Sequence, residues 1–172
     1  MSDPFAHHLR IDQIRDGDRL DLAADESERR AISQRLGLNS LSCLEAHAVL
    51  SRSGEIVRAR GRLAAALEQS CVITNEPVAA AIDEPFELVF MPGGSLGPDE
   101  EIELGAADCD VVFHDGSAID LGSAIADTLA LNLDPYPRSA GADAALKEAG
   151  VMSEEQASPF AALAKLRKSD ET

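Results

Sequence analysis

Hydrophobic and polar residues alternate along two stretches of the chain, residues 41–51 and 55–67, on either side of Ser53-Gly54. Alternation with a period of two is typical of β-strands, and Ser-Gly is a plausible two-residue turn, so the pattern predicts a hairpin. With Arg52 opposite Glu55, one face of the hairpin is wholly apolar, and a slip of one residue would scatter it. That face consists of Leu44, Ala46, Ala48, Leu50, Val57, Ala59, Gly61 and Leu63.

Two helices are predicted from capping residues and apolar stripes. In the segment 25–37, Asp25 and Glu28 have capping-box spacing, and Gly37 is placed to end the helix. The second helix begins after Asp120, a capping residue, and should stop at Asp134, because the residue before a proline is disfavoured in a helix. Its stripe consists of Leu121, Ala124, Ile125, Thr128 and Leu129. A further short helix is predicted at residues 159–168.

Three more strands are predicted downstream of the hairpin. Residues 78–91 alternate, with Pro85 indicating a sheet edge or a bulge, and shorter strands are expected at 101–104 and 110–114. Runs of strands followed by a helix are typical of an α+β fold. The predicted architecture is an antiparallel β-sheet or partly closed β-barrel of about five strands, with helices packed on one face.

Composition points to a cytoplasmic protein. The chain has 172 residues, which suffices for one ordinary domain with tails. No apolar run approaches the roughly 20 residues of a membrane span, and the first ten residues lack the apolar stretch of a signal peptide. Cys43, Cys71 and Cys109 are too few and too scattered for a disulfide framework, which agrees with a reducing compartment.

Charge is concentrated in the middle of the chain. Residues 63–137 contain fifteen Asp and Glu and no Lys or Arg, while the whole chain has a net charge of −16. A surface of this sign repels phosphate backbones and attracts basic proteins. The same acids would also keep an alanine-rich domain soluble, and charge patterning alone does not separate the two interpretations.

Short motifs follow one another in a fixed order between residues 61 and 138. They are GRL from Gly61, Gln69-x-Cys71, EPV from Glu76, FELVFMP from Phe86, an acidic loop, DLG from Asp120, and DPYPR, which contains Asp134, Pro135, Tyr136 and Arg138. In this order they resemble the YceD family, the large ribosomal RNA subunit accumulation proteins, in its alphaproteobacterial form. Many relatives carry Cys-x-x-Cys where this chain has Cys71 and Thr74, so no metal site is carried over.

The resemblance implies a non-enzymatic factor that supports 23S ribosomal RNA accumulation or processing and ribosome assembly. Its implied partners are large-subunit ribosomal RNA, a basic ribosomal protein, or both, and no cofactor is implied. Residues 1–138 are then a single YceD-like domain with its best-matched core at 61–138. Residues 139–172 are alanine-rich and polar, which predicts a mobile or partly helical tail.

Four arginines are the candidate RNA- or partner-binding residues. Arg58, Arg60 and Arg62 share one side of a predicted strand, with Arg52 near the turn. Residues two apart on a strand point to the same face, so their guanidinium groups would form a stripe able to bind phosphates or carboxylates. The pattern fits equally well a solvated face that is partly neutralised by Glu45.

The competing class of function is an enzyme that uses thiol or metal chemistry. Cys109 with Asp108, Asp110 and His114 offers metal-type side chains, but strand alternation would point Cys109 and His114 to opposite faces. Cys71 lies at a predicted strand end without a nearby His or Lys, which favours a structural thiol over a nucleophile. The chain has no Walker loop, dinucleotide fingerprint or nucleophile elbow. An enzyme using Cys71 or Cys109 is therefore the weaker alternative.

Two hypotheses on mechanism follow. In the first, the acidic middle binds a basic ribosomal protein while the arginine stripe contacts ribosomal RNA or an acidic partner. In the second, the chain is an acidic escort that binds a basic protein without touching RNA. Neither hypothesis involves a membrane or a small-molecule substrate. Tyr136, held between Pro135 and Pro137, is expected to pack against the sheet, with recognition of a partner as the alternative.

Overall fold

The computed structural model describes residues 5–93 and 110–151. Two compact units divide these residues. The first contains residues 5–69, 79–93 and 110–135, and the second contains residues 70–78 and 136–151. The strand expected at 101–104 and the helix expected at 159–168 lie outside the described residues. The boundary expected after Arg138 stays a prediction.

Strands dominate the described part of the chain. They are β1 (His8–Arg10), β2 (Arg19–Ala23), β3 (Ser40–Ser53), β4 (Ile56–Ser70), β5 (Pro77–Pro92), β6 (Asp110–His114) and β7 (Ala118–Asp120). The helices are α1 (Glu26–Leu36), α2 (Leu121–Leu131) and α3 (Ala142–Glu148), and a 3-10 turn spans Ile11–Gln13. None of the helices among the described residues has the length and apolar character needed to span a membrane.

Five strands form one sheet in the order β2-β3-β4-β5-β6, and β1 pairs with β7 in a separate two-stranded sheet. The pairs β2–β3 and β3–β4 are antiparallel, whereas β5 and β6 run parallel. The α+β class is confirmed, but the sheet is mixed rather than wholly antiparallel, and within residues 5–93 and 110–151 it does not close into a barrel. Pro85 lies outside the part of β5 that pairs with β6, Leu88–Pro92.

The hairpin of β3 and β4 is confirmed, but its predicted register is wrong by two residues. The turn residues are Gly54 and Glu55, with Ser53 opposite Ile56, instead of Ser53 and Gly54. Gly54 has φ 65°, the positive value that tight hairpin turns require at their first central position. A shift of two residues keeps every side chain on its predicted face, so the apolar face remains intact.

That apolar face and the two longer helices share the hydrophobic core of the first unit. Leu44, Leu50 and Leu63 from the hairpin are at most 1% exposed, and they belong to one cluster with Ile32 of α1 and Ile125 of α2. All five residues of the predicted α2 stripe are buried. The sheet therefore buries one face against helices and presents its other face, which we call the outer face, to solvent.

Helix ends follow the capping residues closely at three of four termini. Asp25 and Glu28 form the predicted capping box of α1, Gly37 ends that helix with φ 66°, and Asp120 caps α2 by accepting from Ser123 N–H. The fourth end differs, because α2 stops at Leu131 rather than near Asp134. Its last carbonyl groups are satisfied by Asn132, whose side chain donates to Thr128 O.

Helix α3 was not predicted. It is only seven residues long, lacks a side-chain cap, and has a single buried residue, Ala142. A helix this short carries too little apolar periodicity to be recognised from the sequence.

Candidate functional site

Arg58, Arg60 and Arg62, which we call the arginine row, lie on the outer face of β4 with side chains 50–65% exposed. Their partners are two carboxylates of β5. Arg60 and Arg58 lie 2.7 and 3.7 Å from Glu87 Oε1, and Arg62 Nε lies 2.5 Å from Asp83 Oδ1. The hydrogen bond and the charge of Asp83 raise the pKa of Arg62. The positive charge of the arginine row is thus largely compensated by carboxylates of the same sheet.

Arg52 does not continue this row, contrary to the prediction. Arg52 lies on β3 at a position that alternates with those of the outer face. Its guanidinium donates to two carbonyl groups, Ile11 O at 2.6 Å and Gly54 O at 2.8 Å. These bonds tie the hairpin turn to the 3-10 turn at Ile11–Gln13. We therefore assign Arg52 a structural role in holding the hairpin end.

The arginine row forms part of a band of charges that crosses four strands. Asp21 of β2 pairs in register with His47 of β3, and His47 pairs with Arg62 of β4, which reaches Asp83 of β5. His47 Nδ1 lies 2.5 Å from Asp21 Oδ1. Each basic side chain in the band therefore touches a carboxylate, and the outermost groups on both sides are acidic.

Cys71 lies in the second unit and is buried, with 3% of its surface exposed. The segment after it turns back on itself, because Cys71 N–H donates to Glu76 O and Asn75 adopts φ 61°. This turn aims the N–H groups of Ile73 and Thr74 at Cys71 Sγ, each at 3.4 Å. Ser139 N–H approaches from the other segment of the unit at 3.2 Å. The sulfur is thereby surrounded by hydrogen-bond donors.

These donors change the acidity of the thiol. Burial alone would raise the pKa of Cys71, but hydrogen bonds from the Thr74 side chain and from the N–H groups of Ser139, Thr74 and Ile73 outweigh it and lower the pKa to about 6. Thr74 Oγ1 also lies 2.9 Å from Glu76 Oε2 and 3.0 Å from Ser139 Oγ, and bonds with these hydroxyls lower the pKa of Glu76. The pKa of Cys71 is thus lowered by hydrogen-bond donors rather than by a nearby His or Lys, and the preference for a structural thiol over a nucleophile stays a prediction.

The lowered thiol pKa predicts a pH dependence of stability. Between pH about 6 and about 8.5, the folded chain binds fewer protons at Cys71 than the unfolded chain, so the free energy of unfolding should rise with pH in this window. This contribution is lost as the pH falls through about 6. Urea unfolding across this range should show a weaker pH dependence for Cys71→Ser than for the control Cys43→Ser. Equal slopes for the two variants would contradict the assignment.

The remaining motif residues have structural contacts. Gln69 Nε2 donates to Asp134 O at 2.8 Å, which ties β4 to the segment after α2. Asp120 Oδ1 accepts from His7 N–H at 2.8 Å as well as from Ser123 N–H, so one carboxylate fixes both the N-terminal segment and the start of α2. These contacts give Gln69 and Asp120 roles in holding the fold.

Tyr136 is 72% exposed, so the prediction of a packed ring is wrong. Its neighbour Pro137 offers the carbonyl that accepts Val72 N–H at 2.9 Å, which fixes the backbone of the Asp134-to-Arg138 motif within the second unit. Arg138 is 57% exposed and lies 3.7 Å from Asp143. The alternative, recognition of a partner by Tyr136, stays a prediction.

The structure offers no support for a metal centre in the described ranges 5–93 and 110–151, where no three His, Cys, Asp or Glu residues are grouped to hold an ion. Cys109 lies outside these ranges. Both ring nitrogens of His114 are engaged: Gly116 N–H donates to Nδ1 at 3.0 Å, and Nε2 lies 2.9 Å from Glu55 O. His114 is thus a buried structural histidine.

Sequence reasoning missed the partners of the two most distinctive groups. Asp83 lies 21 residues after Arg62 and Glu87 lies 27 residues after Arg60, and they meet only because β4 and β5 are neighbouring strands. The donors to Cys71 are backbone N–H groups, which leave no signal in side-chain composition. Asp83 and Glu87 are four positions apart on β5, and residues an even number of positions apart on a strand share a face. Their spacing was therefore an available indication that they lie on the same side of the sheet.

A family model described as large ribosomal RNA subunit accumulation protein YceD matches residues 59–167. No curated protein and no solved structure matches the chain. The matched segment includes most of β4, and all of β5, β6 and α2, as well as the Cys71 turn.

Proposed function

The chain belongs to the YceD family, and from this premise we propose that it is a non-enzymatic factor that supports ribosome assembly by binding a basic ribosomal protein. The family description implies involvement in the accumulation of large-subunit ribosomal RNA and names no catalytic activity. Binding a ribosomal protein would act on the RNA indirectly, by delivering or protecting a protein that the RNA needs in order to fold.

The observation that carries this proposal is the charge compensation of the outer face. Ribosomal RNA is a polyanion, and a protein that binds it usually offers cations that are available to phosphates. Here the arginine row is in contact with Glu87 and Asp83, and the chain has a net charge of −16. An RNA phosphate approaching the row would meet two carboxylates, whereas a basic protein would be attracted by the excess of acids.

A second candidate function is direct contact of the arginine row with ribosomal RNA. It is favoured by the exposure of the three side chains and by the longer distance, 3.7 Å, from Arg58 to Glu87. Ion pairs this exposed contribute little, about 0–1 kcal/mol, so phosphates could displace the carboxylates. Guanidinium groups also bind phosphate in a bidentate manner.

We place the proposed role in the cytosol. Cys43 and Cys71 are both free thiols, which suits a reducing compartment. A role in ribosome assembly requires the same compartment in a bacterial cell.

Affinity capture of the tagged chain from its native cells tests both candidates. Cells are irradiated with ultraviolet light before lysis, and captured RNA and protein are both identified at low and moderate salt. The proposal expects basic ribosomal proteins that are released as salt increases, with no crosslinked ribosomal RNA. Crosslinked large-subunit RNA would instead support direct contact.

Variants of the arginines test whether the arginine row contributes to capture of RNA or protein. The triple variant Arg58→Ala, Arg60→Ala and Arg62→Ala removes the row. A control with Arg10→Ala, Arg15→Ala and Arg30→Ala removes the same charge from other exposed positions. We expect the row variant to capture the ribosomal protein at least as well as the control. If only the row variant lost ribosomal RNA, the direct-contact function would replace the proposed one.

A further inference from the structure

The outer face of the sheet contains a groove next to the band of charges. Two cross-strand rows define it. In one row Glu45 of β3 stands between Ala23 of β2 and Ala64 of β4, and in the next row lie Asp21, His47 and Arg62. The groove has a volume of about 400 Å³ and also includes Asp83 of β5 in its lining. It lies entirely within the first unit.

The two alanines create the groove. On an exposed strand face, neighbouring side chains normally cover the backbone between rows. Ala23 and Ala64 extend only one carbon beyond the backbone, so a depression remains on either side of Glu45, and the taller side chains of the next row form its wall. The carboxylate of Glu45 thus stands in a recess that is open to solvent.

The charges in the groove favour a cation. Its lining contains three carboxylates, on Asp21, Glu45 and Asp83, against one guanidinium and one imidazole. The guanidinium of Arg62 is in contact with Asp83 and the imidazole of His47 with Asp21. A phosphate entering the groove would face uncompensated negative charge, whereas an ammonium or guanidinium group would find it complementary.

The spacing of the carboxylates suits an extended chain. Asp21 and Glu45 are diagonal neighbours on antiparallel strands, because Asp21 pairs with His47, two residues from Glu45. Such diagonal positions lie about 7–8 Å apart. Alternate side chains of an extended polypeptide are separated by about 6.6 Å, so basic residues at positions i and i+2 of a partner can reach both carboxylates.

We propose that this groove binds an extended basic segment of a protein, with one Lys or Arg side chain seated between Ala23 and Ala64 on Glu45 and a second on Asp21. The inference rests on the proposed function and identifies the place on the molecule where the basic partner is bound. Binding of this kind is electrostatic and exposed to solvent, so it weakens as salt increases.

A labelled peptide of alternating lysine and serine, followed by fluorescence anisotropy, tests the groove on the full chain. Ala64→Leu fills the groove without changing charge, and Ala79→Leu makes the same change at another exposed position, on β5. We expect the first variant to weaken peptide binding about tenfold and the second to leave it unchanged. Glu45→Gln should weaken binding about two- to fivefold, and Glu148→Gln, which removes the same charge on α3, should not.

Three results would overturn the inference. Equal peptide binding by Ala64→Leu and Ala79→Leu would place the peptide elsewhere on the acidic surface. A loss of binding that is as large in Glu148→Gln as in Glu45→Gln would show attraction by net charge only. Binding of a single-stranded uridine oligonucleotide that Ala64→Leu abolishes would show that the groove takes phosphate. Far-ultraviolet circular dichroism of each variant confirms that the fold is retained.

The same variants separate this inference from the proposed function. If wild type, Ala79→Leu and Ala64→Leu all captured basic ribosomal proteins equally, the groove would not be the binding site. The proposed function would still stand. If wild type captured no ribosomal protein, the proposed function itself would fail. Loss of capture in Ala64→Leu alone would support both.

Discussion

Replacing Gly61 with alanine should destabilise the fold by about 3 kcal/mol, the upper part of the range for overpacked core positions. A Cβ atom at Gly61 would lie 1.8 Å from His47 O and 2.9 Å from Phe86 Cζ. The first of these atoms belongs to the backbone of β3 and cannot rotate away. The alanine would therefore force β3 and β4 apart, which urea unfolding followed by circular dichroism would detect as a lower midpoint.

Gly141→Ala is the matched control for this change. A Cβ atom at Gly141 would meet Glu76 Oε2 at 3.6 Å and Ser139 Oγ at 4.0 Å, which are ordinary contact distances. We expect its free energy of unfolding to stay within about 0.5 kcal/mol of wild type. If Gly61→Ala proved as mild as Gly141→Ala, the close approach of the two strands at Gly61 would be wrong.

Replacing Phe90 with alanine should have the largest effect of all, a loss of about 3–5 kcal/mol. Phe90 is 1% exposed near the C-terminal end of β5 and belongs to the core cluster of the first unit. Truncation removes the buried ring and leaves a cavity that the sheet and helices cannot fill. A loss of this size is a large fraction of the stability of an ordinary domain, so the variant should be partly unfolded at 37 °C.

Phe113→Ala makes the same substitution one strand away. Phe113 lies on β6 opposite Met91, the residue after Phe90, but is 57% exposed. We expect its cost to remain below about 1 kcal/mol, because most of its ring is already in contact with water. Thermal unfolding of the two variants compares them directly. A smaller loss in Phe90→Ala than in Phe113→Ala would be incompatible with the core described above.

Features that depend on neighbouring residues in the sequence could be predicted well. The capping box of α1 needs only Asp25 and Glu28, and the end of that helix needs only Gly37. The buried stripe of α2 likewise follows from spacing along one helix. In each case the structure is determined by residues within one or two turns, so the sequence pattern contains the required information.

The register of the hairpin could not be predicted from the alternation of polar and apolar residues. Alternation determines which residues share a face, but a shift of two residues leaves every face unchanged. The choice between the turns Ser53-Gly54 and Gly54-Glu55 then depends on backbone geometry, with Gly54 needing a positive φ at the first turn position. The parallel pairing of β5 with β6 was missed for a related reason, because strand direction depends on the connection between strands.

The candidate site was predictable only in part. The spacing of Arg58, Arg60 and Arg62 correctly placed them on one face, but their compensation by Asp83 and Glu87 required the neighbouring strand. Arg52 differs because it lies at an alternate position and binds carbonyl groups instead. The groove around Glu45 depends on the register of β2, β3 and β4 together, which no single segment encodes.

The surroundings of Cys71 also bear on how the protein is made. Ser139, whose N–H approaches the sulfur, follows Cys71 by 68 residues. At ordinary translation rates of about 5–20 residues per second, about 3–14 s pass between the synthesis of the two residues. During that interval the nascent chain lacks the donor that Ser139 supplies to the Cys71 sulfur. The set of hydrogen-bond donors around Cys71 is therefore completed only after residue 139 has been synthesised, so this part of the second unit reaches its final structure late in biosynthesis.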